Sequence, residues 1–345
     1  MHVLVTGGAG YIGSHTCLCL LEEGFNVTVI DNFHNSSPEA LRRVQAMAGR
    51  SLSMIEGDVR DAAALDAAFT GPRIDAVIHF AGLKAVGESV AEPMLYYDNN
   101  VAGTLNLLQA MQRAQVSTLV FSSSSTVYGD PDHKHLPLKE TAPCGQTHSP
   151  YATSKWMVER CLADLHAAQP QWRIARLRYF NPVGAHPSGR IGENPNGTPN
   201  NLMPFISQVA CGGRPMLSIF GGDYPTHDGT GVRDYIHVMD LAEGHVATLK
   251  HLASNPGGNL LTLNLGTGQG CSVLDVVKAF EAASGQAIPY QIAARRPGDV
   301  PAYYADSTQA QELLHWRAKR TLHDMCADAW RWQAANPNGY ETKPS

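Results

Sequence analysis

Directly after Val3-Leu4-Val5-Thr6 comes Gly7-Gly8-Ala9-Gly10-Tyr11-Ile12-Gly13, and no other stretch restricts the possible folds of this chain as much. The residues before it read as a buried strand, and the pattern after it reads as a helix to about Leu21. A strand that becomes a helix over so few residues needs freedom at φ in the turn and no side chain where helix meets strand. Glycines 7, 10 and 13 suit three needs in turn: a tight turn, close approach of backbone N–H groups to a pyrophosphate, and packing of the helix on the strand.

The alternation continues. Asn26-Val27-Thr28-Val29-Ile30 is a second strand pattern ending in Asp31. A carboxylate there would hydrogen-bond the adenosine ribose hydroxyls and repel a 2′-phosphate, favouring NAD over NADP; the plain alternative is a turn residue at a strand end. Leu52-Met54-Ile55 leads to Asp58, which suits either the adenine amino group or a cap for the helix beginning near Asp61. Asp75–Phe80 is a fourth strand, and Ala81-Gly82 after it lets the chain pass close to a cofactor. A long helix pattern from about Pro93 to Ala114 carries Asn99. Thr118-Leu119-Val120-Phe121 is a fifth strand that delivers Ser122-Ser123-Ser124 at its carboxyl end, where ligands of doubly wound sheets lie, and Arg173–Phe180 is a sixth.

Ser149-Pro150-Tyr151-Ala152-Thr153-Ser154-Lys155 predicts a helix start with Tyr151 and Lys155 one turn apart. A phenol with an ordinary pKa of about 10 is a poor base, but an adjacent ammonium favours the phenolate. So tuned, Tyr151 could take the proton of an alcohol while a hydride leaves the same carbon. By itself Tyr-x-x-x-Lys equally suits a helix with a packed Tyr and a solvated Lys.

Composition narrows the partners. At 345 residues, 43% hydrophobic and 17% charged, the chain suffices for one large domain or two ordinary ones. Lys+Arg 26 against Asp+Glu 31 leaves −5 without a basic run, which argues against nucleic acid and anionic membranes. No apolar run approaches the roughly 20 residues of a membrane span. With no basic and apolar leader pattern before the first strand, a cytoplasmic protein is expected. Seven scattered cysteines without a C-x-x-C pair fit reduced thiols, and the His133-Lys134-His135 stretch reads as a solvated loop, so no metal is expected.

After Phe180 the texture turns to Pro, Gly and Asn, as at a domain junction and a ligand-facing loop. The predicted fold class is α/β: a doubly wound parallel (Rossmann) sheet over residues 1–180 binding NAD, then a smaller α/β substrate-binding domain over 181–345. The segment near 235–250 is expected to be able to pack back on the first domain. Arg233 and Arg296 lie in Gly-rich, loop-like surroundings; a guanidinium fork matches phosphate oxygens, so they read either as a second pyrophosphate site or as surface arginines.

Gly7-x-x-Gly10-x-x-Gly13, Asp31, a serine after the fifth strand and Tyr151-x-x-x-Lys155 together resemble the extended short-chain dehydrogenase/reductase superfamily. The resemblance implies that Ser124, Tyr151 and Lys155 are catalytic, with Lys155 also on the nicotinamide ribose. It implies contacts to NAD from Gly7, Gly10, Tyr11, Ile12, Gly13, Asp31, Asn32, Asp58, Val59, Phe80, Ala81, Gly82, Lys84, Asn99, Ser122, Tyr179 and Phe180. Longer stretches, among them His79–Ser89, Tyr96–Asn100, Arg178–Pro182 and Pro199–Leu202, resemble its UDP-hexose 4-epimerase family over essentially the whole chain. That implies reversible C4 epimerisation of UDP-galactose and UDP-glucose through a 4-keto sugar, in a homodimer formed by helices near 93–114 and 151–168. Lys84, Ser124, Tyr151, Asn181, Asn201, Leu202, Ser218, Phe220, Arg233, Tyr235, Arg296, Asp299 and Tyr303 are then the substrate-binding residues, with Arg233 and Arg296 at the pyrophosphate. Tyr303, bulky beside the sugar C2 substituent, argues against N-acetylhexosamines. Ser125 departs from the alanine common in that family. Related dehydratases carry an Asp-Glu pair where this chain has Ser125-Thr126, so water elimination lacks its acid and base. A silent NAD-binding regulator would not need the full residue set.

Overall fold

The computed structural model describes residues 1–131, 135–194, 199, 201–296 and 299–341; His133 and Lys134 of the polar loop lie outside them, as does Asn200. The strands are β1 His2–Thr6, β2 Asn26–Asp31, β3 Ser53–Glu56, β4 Ala76–His79, β5 Thr118–Ser124, β6 Arg173–Tyr179, β7 Asn181–Val183, β8 Leu217–Phe220, β9 Val232–His237, β10 Asn259–Leu265, β11 Gly270–Ser272, β12 Tyr290–Ala293 and β13 Ala302–Tyr303. The helices are α1 Tyr11–Glu22, α2 Pro38–Ala48, α3 Ala62–Thr70, α4 Val86–Ala91, α5 Pro93–Tyr96, α6 Gly103–Arg113, α7 Pro150–Ala168, α8 Leu202–Ala210, α9 Val238–Ser254, α10 Val273–Ser284, α11 Thr308–Leu314 and α12 Leu322–Ala335.

Seven parallel strands form the main sheet in the order β10-β6-β5-β4-β1-β2-β3. Because successive strand residues face opposite ways, Val3 and Val5 join one core with Leu18 and Leu20 of α1 and Leu241 of α9, while Leu4 joins another with Leu65, Leu107 and Leu162 of α3, α6 and α7. The sheet is therefore covered on both faces, as the continuous apolar runs predict. The chain is α/β and doubly wound.

One boundary differs from the expectation. The return to the first layer is longer than residues 235–250: α9 packs on α1, and β10 pairs with β6 from Asn259↔Arg173 to Leu265↔Tyr179. A cut at residue 180 thus strands one strand of the main sheet on its far side. Long-range parallel pairing leaves no local mark in sequence, because its stabilising partner lies 86 residues away. The remaining smaller layer holds β7, β9, β11 and β13 in one sheet and β8 with β12 in another, over a core shared by α8, α10 and α12.

The helix predicted from Pro93 to Ala114 is interrupted. Between α5 and α6 the backbone takes a π turn at Tyr97–Ala102, placing both Asn99 and Asn100 inward and buried. Such widened turns recur at functional sites.

Candidate active site

Gly7 sits at φ +68°, donates its N–H to the Ile30 carbonyl at 2.9 Å, and a Cβ on it would stand 2.6 Å from the Ala81 nitrogen. A Cβ on Gly13 would stand 2.3 Å from the Gly7 carbonyl oxygen. The loop is thus a cradle that side chains would fill. Gly10 opens α1 with no side-chain cap and no acidic residue in the first turn, so the helix presents N–H groups and its positive end to an anion. Asp31 ends β2 buried: one carboxylate oxygen accepts the Ala9 N–H at 2.9 Å, and the other accepts the Phe33 N–H at 2.9 Å and the Ser36 hydroxyl at 2.8 Å. It therefore braces the glycine loop from the end of the neighbouring strand. The cradle, the uncapped helix start and the acidic strand end fit a dinucleotide.

Asp58 is not the helix cap. Asp61 caps α3, accepting the Ala63 and Ala64 N–H groups, whereas Asp58 accepts the Arg60 guanidinium at 2.8 Å and the Asn32 amide at 2.9 Å. The Arg60 hydrogen bonds hold its carboxyl well below the usual range. Val59 is buried behind it. Phe80 and Ala81 leave β4 by donating their N–H groups to the Thr6 carbonyl, and Gly82 is so placed that a Cβ would stand 3.4 Å from the Lys155 ammonium.

The three residues expected to be catalytic meet at the carboxyl ends of β5 and β6. Ser149 caps α7 by accepting the Ala152 N–H, Pro150 fills the first turn, and Tyr151 follows. Ser124 ends β5, accepts the Thr126 N–H and hydroxyl at 3.2 and 2.9 Å, and lies close enough to Tyr151 to act on its phenol. Lys155 donates to the Ser122 carbonyl at 2.8 Å over the Phe121 ring, and burial pushes its ammonium down to about 8. Burial raises the Tyr151 phenol; the Ser124 hydroxyl and then the Lys84 ammonium pull it back. The helical spacing suggests Lys155 as the cation beside Tyr151; the Lys84 ammonium also acts on that phenol. Spacing fixes which residues share a helix face, and the carbonyl that receives the Lys155 ammonium lies on β5.

Tyr179 is hydrogen-bonded to His245 of α9, against which Phe80 also packs at 4.8 Å. The residues expected to hold the nucleotide also converge. Arg233 of β9 donates to the Val232 and Val300 carbonyls at 2.9 Å and approaches Asp299 at 3.8 Å; Arg296 donates to Asp299 at 3.0 Å and lies 4.9 Å over the exposed Phe220 ring. Two guanidinium groups thus flank one carboxylate, with an aromatic face and Ser218 of β8 on the same strand. Asn181 pairs in register with Tyr235 on the neighbouring strand, and Asn201 and Leu202 open α8. Tyr303 lies 5.6 Å from Phe180 and donates its hydroxyl to the Ser125 carbonyl, which ties it to the residue after Ser124.

Three residues escaped the sequence reading. Asn100 donates to the Leu83 carbonyl and Ser154 hydroxyl and accepts the Leu83 N–H, pinning the Gly82–Lys84 turn to α7. Glu159 receives Arg178 through two bonds at 3.0 and 2.7 Å and the Ser123 hydroxyl at 2.5 Å, entirely buried, and so locks α7 against β5 and β6. Glu159 is four residues beyond Lys155, a charge on the buried face of α7; that was the available signal. Glu193 accepts both Lys84 and Asn201.

A model of the NAD dependent epimerase/dehydratase family matches residues 3–266. This chain belongs to that family. Within it, the chain is 57% identical over 342 residues to a UDP-glucose 4-epimerase of Bacillus subtilis, covering 99% of both. Among solved structures it superposes with TM-score 0.94 and 52% identity on UDP-glucose 4-epimerase from Bifidobacterium longum in complex with NAD+ and UDP, covering 98% of this chain and 100% of that one. It is similar also to the Stenotrophomonas maltophila UDP-glucose 4-epimerase with bound NAD and formylated UDP-arabinopyranose, at TM-score 0.95 and 50% identity over 98% of this chain and 99% of that one. The chain therefore shares fold and length with UDP-glucose 4-epimerases.

Proposed function

We propose that this chain is an NAD-dependent UDP-glucose 4-epimerase that interconverts UDP-galactose and UDP-glucose at sugar C4. The observation that carries the reading is the near-complete alignment, at 57% identity, with a protein of that activity. The convergence of Ser124, Tyr151 and Lys155 at one sheet edge, beside a second cluster of cations, supports it.

NAD, when bound in the glycine cradle, supplies a hydride acceptor and donor at its nicotinamide. Gly7, Gly10 and Gly13 would give it backbone room, the start of α1 would offer N–H groups to its pyrophosphate, and Asp31 would take the adenosine ribose hydroxyls. Tyr151 takes the proton of the sugar 4-hydroxyl and returns it; Ser124, beside Tyr151, holds the same oxygen. Lys84 and the positive charge of the oxidised cofactor both favour the phenolate, offsetting the burial that raises the free site. The sugar passes through a 4-keto form. Arg233, Arg296, Phe220 and Asn201 hold the UDP end, so that the hexose is gripped through its nucleotide and stays free to present its other face.

The active unit in this reading is a homodimer and cytoplasmic. Val90, Met94, Leu95, Leu105 and Met157 form an exposed apolar set on α4 to α7, with Met94 74% exposed, and a second copy would cover it. The seven free cysteines suit a reducing compartment. Tyr151→Phe tests the assigned base: turnover of UDP-galactose should fall by about 10²–10⁴-fold with NAD still bound. Unchanged turnover would remove Tyr151 from the mechanism.

A further inference from the structure

Glu193 stands in the loop between β7 and α8 with its side chain only 10% exposed, although it carries a charge. Its backbone is locked from behind. The Glu193 carbonyl accepts the Trp332 indole N–H at 3.0 Å, and a Cβ on Gly192 would stand 2.3 Å from that ring. The Tyr340 hydroxyl contacts both the Gly192 N–H and its carbonyl at 3.2 Å. Held this way, one carboxylate oxygen accepts Lys84 at 3.0 Å and Asn201 at 3.1 Å. Lys84 belongs to the turn after β4, in the NAD half; Asn201 opens α8, in the nucleotide-sugar half. A third tie crosses nearby: the Tyr11 hydroxyl of the glycine loop donates to the Gly184 carbonyl at 2.6 Å, and the Lys84 ammonium lies 5.9 Å from the Tyr11 ring.

We propose that Glu193 is a positioning residue: its carboxylate is a strut that fixes Lys84 of the cofactor half against Asn201 of the substrate half, and so holds the Lys84 ammonium toward Tyr151. Lysine has four rotatable carbons and no preferred direction of its own, so an ammonium half exposed to solvent stays aimed only if something receives it. The field of that ammonium acts on the Tyr151 phenol. Removing the strut leaves Lys84 charged but unaimed. The loss then appears mainly in the chemical step, because the grip on UDP keeps Arg233, Arg296 and Phe220 even where Asn201 loses its Glu193 partner.

The proposal rests on the epimerase reading, and wild-type turnover of UDP-galactose in the same assay tests that reading separately. The holoenzymes to compare are wild type, Glu193→Ala, Glu193→Gln, Lys84→Ala and the Glu193→Ala/Lys84→Ala double variant. Glu193→Ala should lower kcat by about 10- to 100-fold with little change in the affinity for UDP. Glu193→Gln keeps an oxygen able to accept both donors and should recover most of the rate. In the Lys84→Ala background the Glu193→Ala loss should nearly vanish, because a residue acting through Lys84 has nothing left to aim. Any of three results overturns the proposal while the wild type is active: wild-type kcat in Glu193→Ala, a Gln variant no better than Ala, or losses that multiply in the double variant.

Discussion

Replacing Lys155 by methionine should stabilise the NAD-free protein at neutral pH while destroying its activity. Lys155 is 6% exposed, and burial pushes its ammonium from 10.5 down to about 8. Below pH 8 the fold must carry a charge that the unfolded chain carries more easily, and a gap of about 2.5 pH units at 1.36 kcal/mol each puts that penalty near 3 kcal/mol. The sign follows from proton counts: between pH 8 and 10.5 the unfolded chain binds more protons, so wild-type stability gains with rising pH and the penalty fades. Methionine carries no such penalty but forfeits the hydrogen bond to the Ser122 carbonyl, at about 1–2 kcal/mol at any pH. The variant should therefore be more stable than wild type by about 1–2 kcal/mol at pH 7 and less stable near pH 10.5. Urea midpoints of both proteins at the two pH values measure it, and other titrations cancel in the difference. A wild-type-to-variant difference that does not change with pH would refute the buried-charge argument.

Other expectations follow from single contacts. Gly13→Ala drives a Cβ to 2.3 Å from the Gly7 carbonyl and 2.8 Å from the Gly8 Cα, both backbone atoms with nowhere to go. It should cost at least about 2 kcal/mol in denaturant unfolding and empty the purified protein of NAD; an unchanged midpoint with full NAD content would contradict the cradle. Met94→Asp places a charge in the exposed apolar set and should convert a dimer to monomers by light scattering; a monomeric wild type, or a variant that stays dimeric, removes that face from the assembly.

Those parts of the site that rest on local backbone chemistry were legible in the sequence. Glycine spacing, the acidic end of β2 and the Ser149-Pro150 start of α7 each declare themselves within a few residues, and the structure places them as the pattern demands. What stayed hidden depends on partners far along the chain. The β10–β6 pairing joins residues separated by 86 positions, so nothing near Asn259 marks it as part of the first sheet. The π turn at Asn99 and Asn100 looks helical in its periodicity because the extra residue shifts the face by less than a turn. Glu193 is a lone carboxylate in a Pro- and Gly-rich loop, and only the approach of Lys84 and Asn201 gives it meaning. The Lys155 hydrogen bond was hidden for a related reason: helical spacing fixes the face, while its acceptor, the Ser122 carbonyl, lies on a separate strand.

The most direct test is to supply UDP-galactose to the purified protein without added NAD and follow the nucleotide sugar by proton NMR. The account predicts that UDP-glucose appears and that the mixture reaches an equilibrium of the two sugars, driven by cofactor that copurifies in the glycine cradle. A 4-keto-6-deoxy product, or no conversion even after NAD is added, would contradict it.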